Sequence, residues 1–212
     1  KRQFSYNRGK VLGFEELEKL DSYGRYLDSD NDGICYRTYP GTHPEKGAYF
    51  TRGTSHDEYA RYTEDGNINA ETLMRLMRKF RTASELVPPP IIEINGEDSC
   101  GIIYYGSSKP AVLEAKDILK TKDINVDLMQ IRSFPFNLDV WEFIASHDRI
   151  YVVEQNRDSQ MRTLIMAEGG ISAEILRPLV HFTGDPIEAS YIVNKISERE
   201  VNYKSHKNIK ER

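Results

Sequence analysis

The chain has 212 residues and a formal net charge of −4, and 39% of its residues are hydrophobic. This length suits one large domain, or one domain with an attached arm. The acidic balance argues against extensive nucleic-acid binding, and no apolar run approaches the ~20 residues that span a membrane. No amino-terminal signal peptide is visible, and the two cysteines form no CxxC pair. We therefore expect a cytoplasmic protein with reduced, non-catalytic thiols. Because the first residue is Lys1 and not Met, we also expect a part of a longer polypeptide.

The first 90 residues are largely irregular. Phe14–Leu20 predicts a short helix, and residues 22–65 are polar, aromatic-rich and interrupted by Gly and Pro. Asn69–Leu86 predicts an amphipathic helix, which the prolines at 88–90 end. Ordering a long irregular stretch costs conformational entropy, so we expect residues 22–65 to form an interface or the flank of an active site. The predicted apolar stripe of the helix consists of Leu73, Leu76, Met77 and Phe80.

Beyond residue 90, short apolar strands alternate with amphipathic helices. This alternation predicts an α/β fold with a mostly parallel sheet and helices on both of its faces. We divide the chain into an arm and helix (1–90), an α/β domain (91–197) and a charged tail (198–212) that frays after Ile196. The first strand ends at an Asn95-Gly96 turn, which is typical of hairpins. The predicted strands are Ile91–Ile94, Cys100–Tyr105, Val126–Ile131, Ile150–Val153 and Leu179–Phe182.

Two polar clusters of the arm are candidate sites. The Asp/Asn-rich run from Asp28 to Gly33 resembles the start of a calcium loop, but Tyr39 stands where a bidentate Glu belongs, which favours a simple turn. The triplet His56-Asp57-Glu58 could bind a metal, fix an interface or assist chemistry in a neighbouring subunit. Adjacent side chains rarely converge on one ion, so we favour the interface and predict no metal site.

Two loops that follow predicted strands are candidate ligand or interface loops. Gly106 and Ser107 stand between a strand and a helix, where backbone N–H groups can bind an anion, although a plain turn is the alternative. Glu154 and Asn156 follow a central strand, and ligands of open α/β sheets bind at the carboxyl ends of the strands. The equally weighted alternative is that Asn156 caps a helix while Glu154 fixes the loop.

Two further patterns argue against other function classes. The cationic side chains of the predicted helix could suggest nucleic-acid binding, but nearby acids favour a solvated or subunit-facing helix. No Ser-His-Asp or Cys-His arrangement is supported by a motif, so we assign no catalytic residue in this chain. The cationic set is Arg75, Arg78, Lys79 and Arg81.

A series of short motifs resembles, in its order, the alpha subunit of 2-oxoacid:ferredoxin oxidoreductases. The match runs from about Arg8 to Ile196. Two departures stand out, because Cys35-Tyr36 replaces a frequent Ser-Pro, and Tyr59-Ala60 stands where a Gly often follows the Glu. The motifs are Tyr23-Gly-Arg-Tyr26, Asp32-Gly33-Ile34, Arg37, Pro40-Gly41, Gly53-Thr-Ser-His56-Asp57-Glu58, Arg78-Lys79, Tyr105-Gly-Ser107, Glu114-Ala115, Pro135-Phe136, Val153-Glu154-Gln-Asn156, Gln160 and Gly184-Asp-Pro186.

This resemblance implies a particular part of that subunit. The Tyr-Pro-Ile-Thr-Pro-like motif of the family's thiamine-pyrimidine domain is absent, so the chain resembles the C-terminal part. The implied fold is a transketolase C-terminal-like three-layer sandwich, whose five-stranded, mostly parallel sheet has one antiparallel edge strand. Residues 1–90 would then be the end of the pyrimidine-type domain and a connecting region, with Arg37, His56, Asp57 and Glu58 at the active-site flank or subunit interface.

The resemblance also implies a reaction, namely oxidative decarboxylation of a 2-oxoacid with coenzyme A, giving acyl-CoA, carbon dioxide and reduced ferredoxin. Thiamine diphosphate, Mg²⁺ and an iron–sulfur cluster would belong to the full complex and not to this chain. The implied partners are a beta subunit, a twofold mate, and ferredoxin and coenzyme A through the complex. The alternatives are the C-terminal domain of another thiamine enzyme, such as a transketolase or a dehydrogenase beta chain, or a stand-alone ligand-binding α/β module.

Overall fold

The computed structural model describes residues 5–53, 55–96 and 100–210, with backbone only for residues 202 and 204–210. The chain divides into two compact units, the N-terminal unit Lys1–Leu86 and the C-terminal unit Val87–Arg212.

The N-terminal unit contains two helices, α1 (Phe14–Glu18) and α2 (Gly66–Leu86). Helix α2 confirms the predicted amphipathic helix and begins three residues before the predicted start. Asp65 explains the earlier start, because its carboxylate accepts a hydrogen bond from the Asn67 amide at 2.8 Å and so caps the first turn. The predicted apolar stripe is not buried, since no described residue of α2 is buried.

Polar contacts hold the N-terminal unit together. Among its described residues, only Leu17 and Ala60 are buried hydrophobic side chains. The buried His43 ring stacks on Phe14 and lies 2.7 Å from the Glu18 carboxylate. Long irregular segments of this unit are therefore ordered by hydrogen bonds and ion pairs more than by an apolar core.

The C-terminal unit contains a five-stranded sheet with the order β1-β3-β2-β4-β5. Strand β1 runs antiparallel to β3, and all other neighbours are parallel. The predicted α/β class, with a mostly parallel sheet and one antiparallel edge strand, is confirmed. The strands are β1 (Ile91–Glu93), β2 (Cys100–Tyr104), β3 (Val126–Gln130), β4 (Ile150–Glu154) and β5 (Leu176–Val180).

Two features of the sheet differ from the prediction. The Asn95-Gly96 signal suggested a hairpin between β1 and β2, but both edges of β2 are already paired with the parallel strands β3 and β4. Strand β5 begins three residues before the predicted Leu179 and includes Pro178. Because β5 lies at the edge of the sheet, the missing N–H of Pro178 leaves no neighbouring strand without a donor.

Four helices cover the two faces of this sheet. Helices α3 and α6 enclose one apolar cluster, which includes Ile102, Leu119 and Ile192, and α4 and α5 enclose the other, which includes Ile103 and Phe143. The predicted placement of helices on both faces is therefore confirmed. The helices are α3 (Lys109–Lys120), α4 (Leu138–Ala145), α5 (Gln160–Gly169) and α6 (Ala189–Lys210).

Helix α6 is longer than predicted. It does not fray after Ile196 but continues to Lys210. The reason is Glu200, which is 1% exposed and accepts hydrogen bonds from the Arg149 guanidinium (2.8 Å) and the Tyr151 hydroxyl (2.8 Å). A buried carboxylate with these partners holds the added turns against the sheet, a contact between residues 51 positions apart.

Candidate functional site

The acidic loop of residues 28–33 binds helix α2. The Asp28 carboxylate accepts two hydrogen bonds from the Arg78 guanidinium, at 3.0 and 3.1 Å, and a third from the Gly33 amide at 2.9 Å. The Arg75 guanidinium donates to the Gly33 carbonyl oxygen at 3.0 Å. Two cations that we expected to be solvated or subunit-facing are therefore engaged within the unit.

Gly33 allows this loop to approach the helix backbone. Its φ is +78°, which is a conformation that glycine adopts without strain. A Cβ at this position would overlap the Lys79 amide nitrogen and stand 2.7 Å from the Arg75 carbonyl oxygen. The Asp32-Gly33-Ile34 motif thus has a structural requirement that is independent of any ligand.

The ammonium group of Lys10 lies beside the carboxylates of the acidic loop, at the place where a calcium loop would hold its metal ion. This ammonium group lies 2.6 Å from Asp30 and 2.7 Å from Asp32. Hydrogen bonds from Lys10 lower the pKa of both carboxyl groups, and these two acids raise the pKa of Lys10 although partial burial of the amine opposes the rise. The calcium-loop alternative is not supported, since Lys10 and Arg78 already bind these carboxylates. Sequence reasoning missed Lys10, which precedes Asp30 by 20 positions.

The side chains of the His56-Asp57-Glu58 triplet do not converge. The His56 ring stacks on Tyr26, with ring centroids 3.8 Å apart. The Asp57 carboxylate accepts hydrogen bonds from the backbone amides of Tyr59 (2.9 Å) and Arg61 (2.8 Å) and so closes a turn. The Glu58 carbonyl accepts the Tyr26 amide at 2.9 Å, while its side chain is exposed. Their predicted role at an interface or active-site flank stays a prediction.

Ala60 follows this triplet in a left-handed conformation, with a φ of +69°. Glycine adopts this conformation more easily than alanine. The backbone geometry therefore gives a physical reason for the glycine that the family pattern led us to expect near this position.

Arg37 lies apart from the triplet. Its backbone pairs with the segment around Lys10 and Leu12, and its guanidinium donates to the Arg8 carbonyl oxygen. Three of the four predicted residues line two clefts of the N-terminal unit, and His56 lines neither of the two. The larger cleft, about 700 Å³, is lined by Asp57, Glu58 and Arg61 among others.

The second cleft, about 240 Å³, contains Arg37. We call it the basic cleft, because its lining includes six cationic side chains. Tyr26 and Arg75 line both clefts. His56 stacks on Tyr26 and so contacts a residue that the two clefts share. The basic side chains are Arg8, Lys10, Arg25, Arg37, Arg75 and Lys79.

In the C-terminal unit, Glu154 caps helix α5. This carboxylate is completely buried and accepts hydrogen bonds from the amides of Met161 (2.8 Å) and Arg162 (3.0 Å) and from the Asn156 side chain (2.8 Å). Ser159 precedes the helix without making a side-chain cap. The structural alternative assigned the cap to Asn156, whereas in the structure Glu154 itself satisfies amides that the helix start leaves unpaired.

The neighbouring loop of Gly106 and Ser107 is exposed. The Gln155 amide nitrogen donates to the Ser107 hydroxyl at 2.9 Å, which links the loops that follow β2 and β4. Asn156 accepts the Gln160 amide at 3.2 Å and so supports the start of α5. The structure brings all four predicted residues to one edge of the sheet, and their role in ligand or partner binding stays a prediction.

The remaining chemical features are few. Both cysteines are free, Cys35 half-buried and Cys100 buried. In the described part of the chain, no group of three or more His, Cys, Asp or Glu could hold a metal ion. None of the described helices is both long enough and apolar enough to cross a bilayer.

Comparison with known proteins finds relatives with one consistent name. The chain is 28% identical over 200 residues to subunit alpha of 2-oxoacid:ferredoxin oxidoreductase 2 from Aeropyrum pernix, covering 90% of this chain and 29% of that protein. It is 28% identical over 124 residues to the alpha subunit from Saccharolobus solfataricus, covering 56% of this chain and 20% of that protein. No family model matches. The resemblance predicted from the motifs is confirmed. The chain spans less than a third of the length of these relatives.

A solved structure shares the fold. The 2-oxoglutarate:ferredoxin oxidoreductase from Magnetococcus marinus, solved with 2-oxoglutarate, coenzyme A and succinyl-CoA bound, matches with a TM-score of 0.74 and 23% identity. The match covers 85% of this chain and 31% of the other. At this identity the match supports the fold alone.

Proposed function

We propose that this chain is the C-terminal portion of the alpha subunit of a thiamine-diphosphate-dependent 2-oxoacid:ferredoxin oxidoreductase. The complex would convert a 2-oxoacid and coenzyme A to acyl-CoA and carbon dioxide and pass the electrons to ferredoxin. The observation that carries this proposal is the 28% identity to one such alpha subunit over 90% of the chain.

Within that complex, the role of this chain is to dock the beta subunit through helix α2. Its apolar side chains remain 42–62% exposed, an unusual patch for a helix that would face only water. Such faces are typical of interfaces whose partner covers them. The patch consists of Leu73, Met74, Leu76, Met77 and Phe80.

The cofactors of the proposed complex belong to its other parts. Thiamine diphosphate is held through its diphosphate and Mg²⁺, and an iron–sulfur cluster needs several cysteine thiolates. The chain has two cysteines in all, and its described residues offer no metal-ligand cluster. By itself, the chain is accordingly expected to be inactive.

A co-purification experiment tests the docking role. The change is Leu73→Glu with Met77→Glu in the alpha subunit, which places two carboxylates in the apolar patch. Burying them would be costly, so we expect at least about a tenfold loss in beta subunit recovery and a parallel loss of CoA-dependent 2-oxoacid oxidation.

The matched control is Arg81→Glu, which changes the net charge by the same amount on the same helix but outside the patch. Full recovery of beta subunit with the double variant would contradict docking through α2. Absence of CoA-dependent oxidation from the unaltered complex, with any of several 2-oxoacids, would contradict the proposed reaction.

A further inference from the structure

The larger cleft, about 700 Å³, is lined by helix α2, by the segment of residues 26–28 and by the turn of residues 57–61. The Tyr26 amide donates to the Glu58 carbonyl oxygen at 2.9 Å, which joins the segment to the turn. The Thr72 hydroxyl donates to the His56 carbonyl oxygen at 3.3 Å and so fixes the start of the turn on α2. Hydrogen bonds within the N-terminal unit therefore hold the walls of this cleft in place.

Each basic side chain of the larger cleft already has a partner. Arg78 pairs with Asp28 at 3.0 Å. The Arg75 guanidinium donates to a backbone carbonyl oxygen at 3.0 Å. The Arg61 guanidinium lies over the ring of Tyr59, 5.4 Å from its centroid, where the face of the ring attracts a cation. These contacts orient the three guanidinium groups.

The four acidic side chains of the cleft fall into two pairs. Asp28 binds Arg78, and Asp57 accepts two backbone amides of the turn. Glu58 and Glu71 are exposed, and neither carboxylate forms an ion pair or a hydrogen bond in the described part of the chain. The cleft thus contains two carboxylates whose charge is not paired with any described residue.

Apolar side chains line the same cleft, namely Leu27, Ile68 and Met74. Met74 is exposed and also belongs to the apolar patch of α2. The cleft and the patch therefore border each other and share a side chain. A partner that covers the patch would reach the cleft as well.

We infer, given the proposed docking through α2, that a segment of the beta subunit enters the larger cleft and presents Lys or Arg side chains to Glu58 and Glu71. Opposite charges across an interface guide association and fix its register. The long stems of Lys and Arg also pack on apolar groups such as Leu27 and Met74. An acidic or purely apolar segment would cover the two carboxylates without a counter-charge, which is costly.

The rate at which the beta subunit associates with immobilised alpha subunit, followed by biolayer interferometry, tests this contact. The variant Glu58→Lys with Glu71→Lys reverses both charges at exposed positions. At low ionic strength we expect its association rate constant to fall about tenfold or more, because electrostatic steering raises such rates by about 10- to 1,000-fold. Near 1 M salt, where charges are screened within ~3 Å, the difference should shrink to about threefold or less.

The matched control compares Glu71→Lys with Glu85→Lys. Both positions are exposed on α2, but Glu85 lies outside the cleft lining, so its reversal should change the association rate less than about twofold. Glu58→Gln with Glu71→Gln removes the charges and keeps the shape of the side chains, which guards against a folding defect. It should slow association about threefold or more, with an unchanged circular dichroism spectrum.

Two results would overturn the inference. One is an equal effect of Glu71→Lys and Glu85→Lys, and the other is unchanged or faster association of Glu58→Lys with Glu71→Lys at low salt. The patch variant Leu73→Glu with Met77→Glu separates this inference from the proposed function. If that variant loses the beta subunit while reversal of the two cleft charges has no effect, only the contact in the cleft is wrong. If the unaltered subunits do not associate, the proposed docking is wrong as well.

Discussion

The C-terminal unit encloses two apolar clusters between its sheet and four helices, whereas the described residues of the N-terminal unit bury only Leu17 and Ala60 as hydrophobic side chains. The N-terminal unit depends on contacts such as Asp28 with Arg78 and Lys10 with Asp30. Apolar burial does not depend on the charge of side chains, whereas surface ion pairs depend on protonation and are screened by salt. One chain thus combines a unit with a large apolar core and a polar unit whose order depends on charge.

The C-terminal unit also contains a buried ion pair, Arg149 with Glu200, which is an exception to this contrast. Breaking it is expected to have the largest effect on stability. Arg149→Met removes the nearer guanidinium from the carboxylate of Glu200, which is 1% exposed and keeps, of its described partners, only the Tyr151 hydroxyl and the Arg177 guanidinium at 4.0 Å. We expect the free energy of unfolding to fall by about 3–5 kcal/mol. Urea unfolding followed by the fluorescence of Trp141, the single tryptophan, measures it.

The control for this prediction is Arg157→Met. Arg157 pairs with Asp158 at the surface, where both side chains are more than half exposed. Such pairs contribute less than about 1 kcal/mol. Equal effects of the two substitutions would mean that burial does not distinguish these ion pairs.

The next largest effect is expected in the N-terminal unit. Gly33→Ala adds a Cβ that overlaps the α2 backbone and imposes a left-handed φ on alanine. Together these should destabilise the contact between loop 28–33 and α2 by about 2–3 kcal/mol. Hydrogen exchange of peptides from the loop and from α2 measures the loss of protection.

Gly41→Ala separates the two causes. Gly41 has a similar φ of +83°, but a Cβ there meets no atom within 4 Å. It should cost only about 1 kcal/mol. If both alanines had the same effect, the close approach of the loop to α2 would not be the reason for the glycine at position 33.

Acid should weaken the N-terminal unit. The hydrogen bonds from Lys10 lower the pKa of Asp30 and Asp32 in the folded chain, so the unfolded chain binds more protons below their usual pKa near 4. Their contribution is present above that pKa and is lost as the pH falls through the folded values. Hydrogen exchange of loop 28–33 between pH 5 and 2, corrected for intrinsic rates, should show this loss, and Lys10→Met should remove it.

Alkali should destabilise the C-terminal unit. Just above pH 9 this loss of stability is the smallest of the effects predicted here. Burial raises the pKa of the Cys100 thiol to about 12 and is also the main cause that raises the pKa of Tyr151. Above the usual thiol value near 9, the unfolded chain loses protons that the folded chain keeps, so stability falls as the pH rises, by about 1.4 kcal/mol per pH unit for one group.

Trp141 fluorescence in urea between pH 8 and 10.5 checks this slope. The half-buried Cys35 should add a smaller effect of the same sign in the other unit. Stability that is constant with pH in Cys100→Ala below pH 10 would assign the slope to the thiol, and a slope unchanged by Cys100→Ala would contradict the assignment.

Local periodicity by itself determined the α/β class, the positions of most helices and strands, and the amphipathic helix before the prolines. The ordered short motifs likewise predicted the alpha-subunit resemblance that the relatives confirm. These features are readable because helical and strand periods are properties of neighbouring residues.

Tertiary contacts decided the rest. The pairing of β1 with β3, the inclusion of Pro178 in an edge strand, and the length of α6 each depend on residues far apart in the chain. The separation of Arg37 from His56 and the position of Lys10 in the acidic loop also depend on residues far apart in the chain. No local pattern encodes these features. They depend on which strand edges and which charged side chains still lack a partner when the helices and strands pack together.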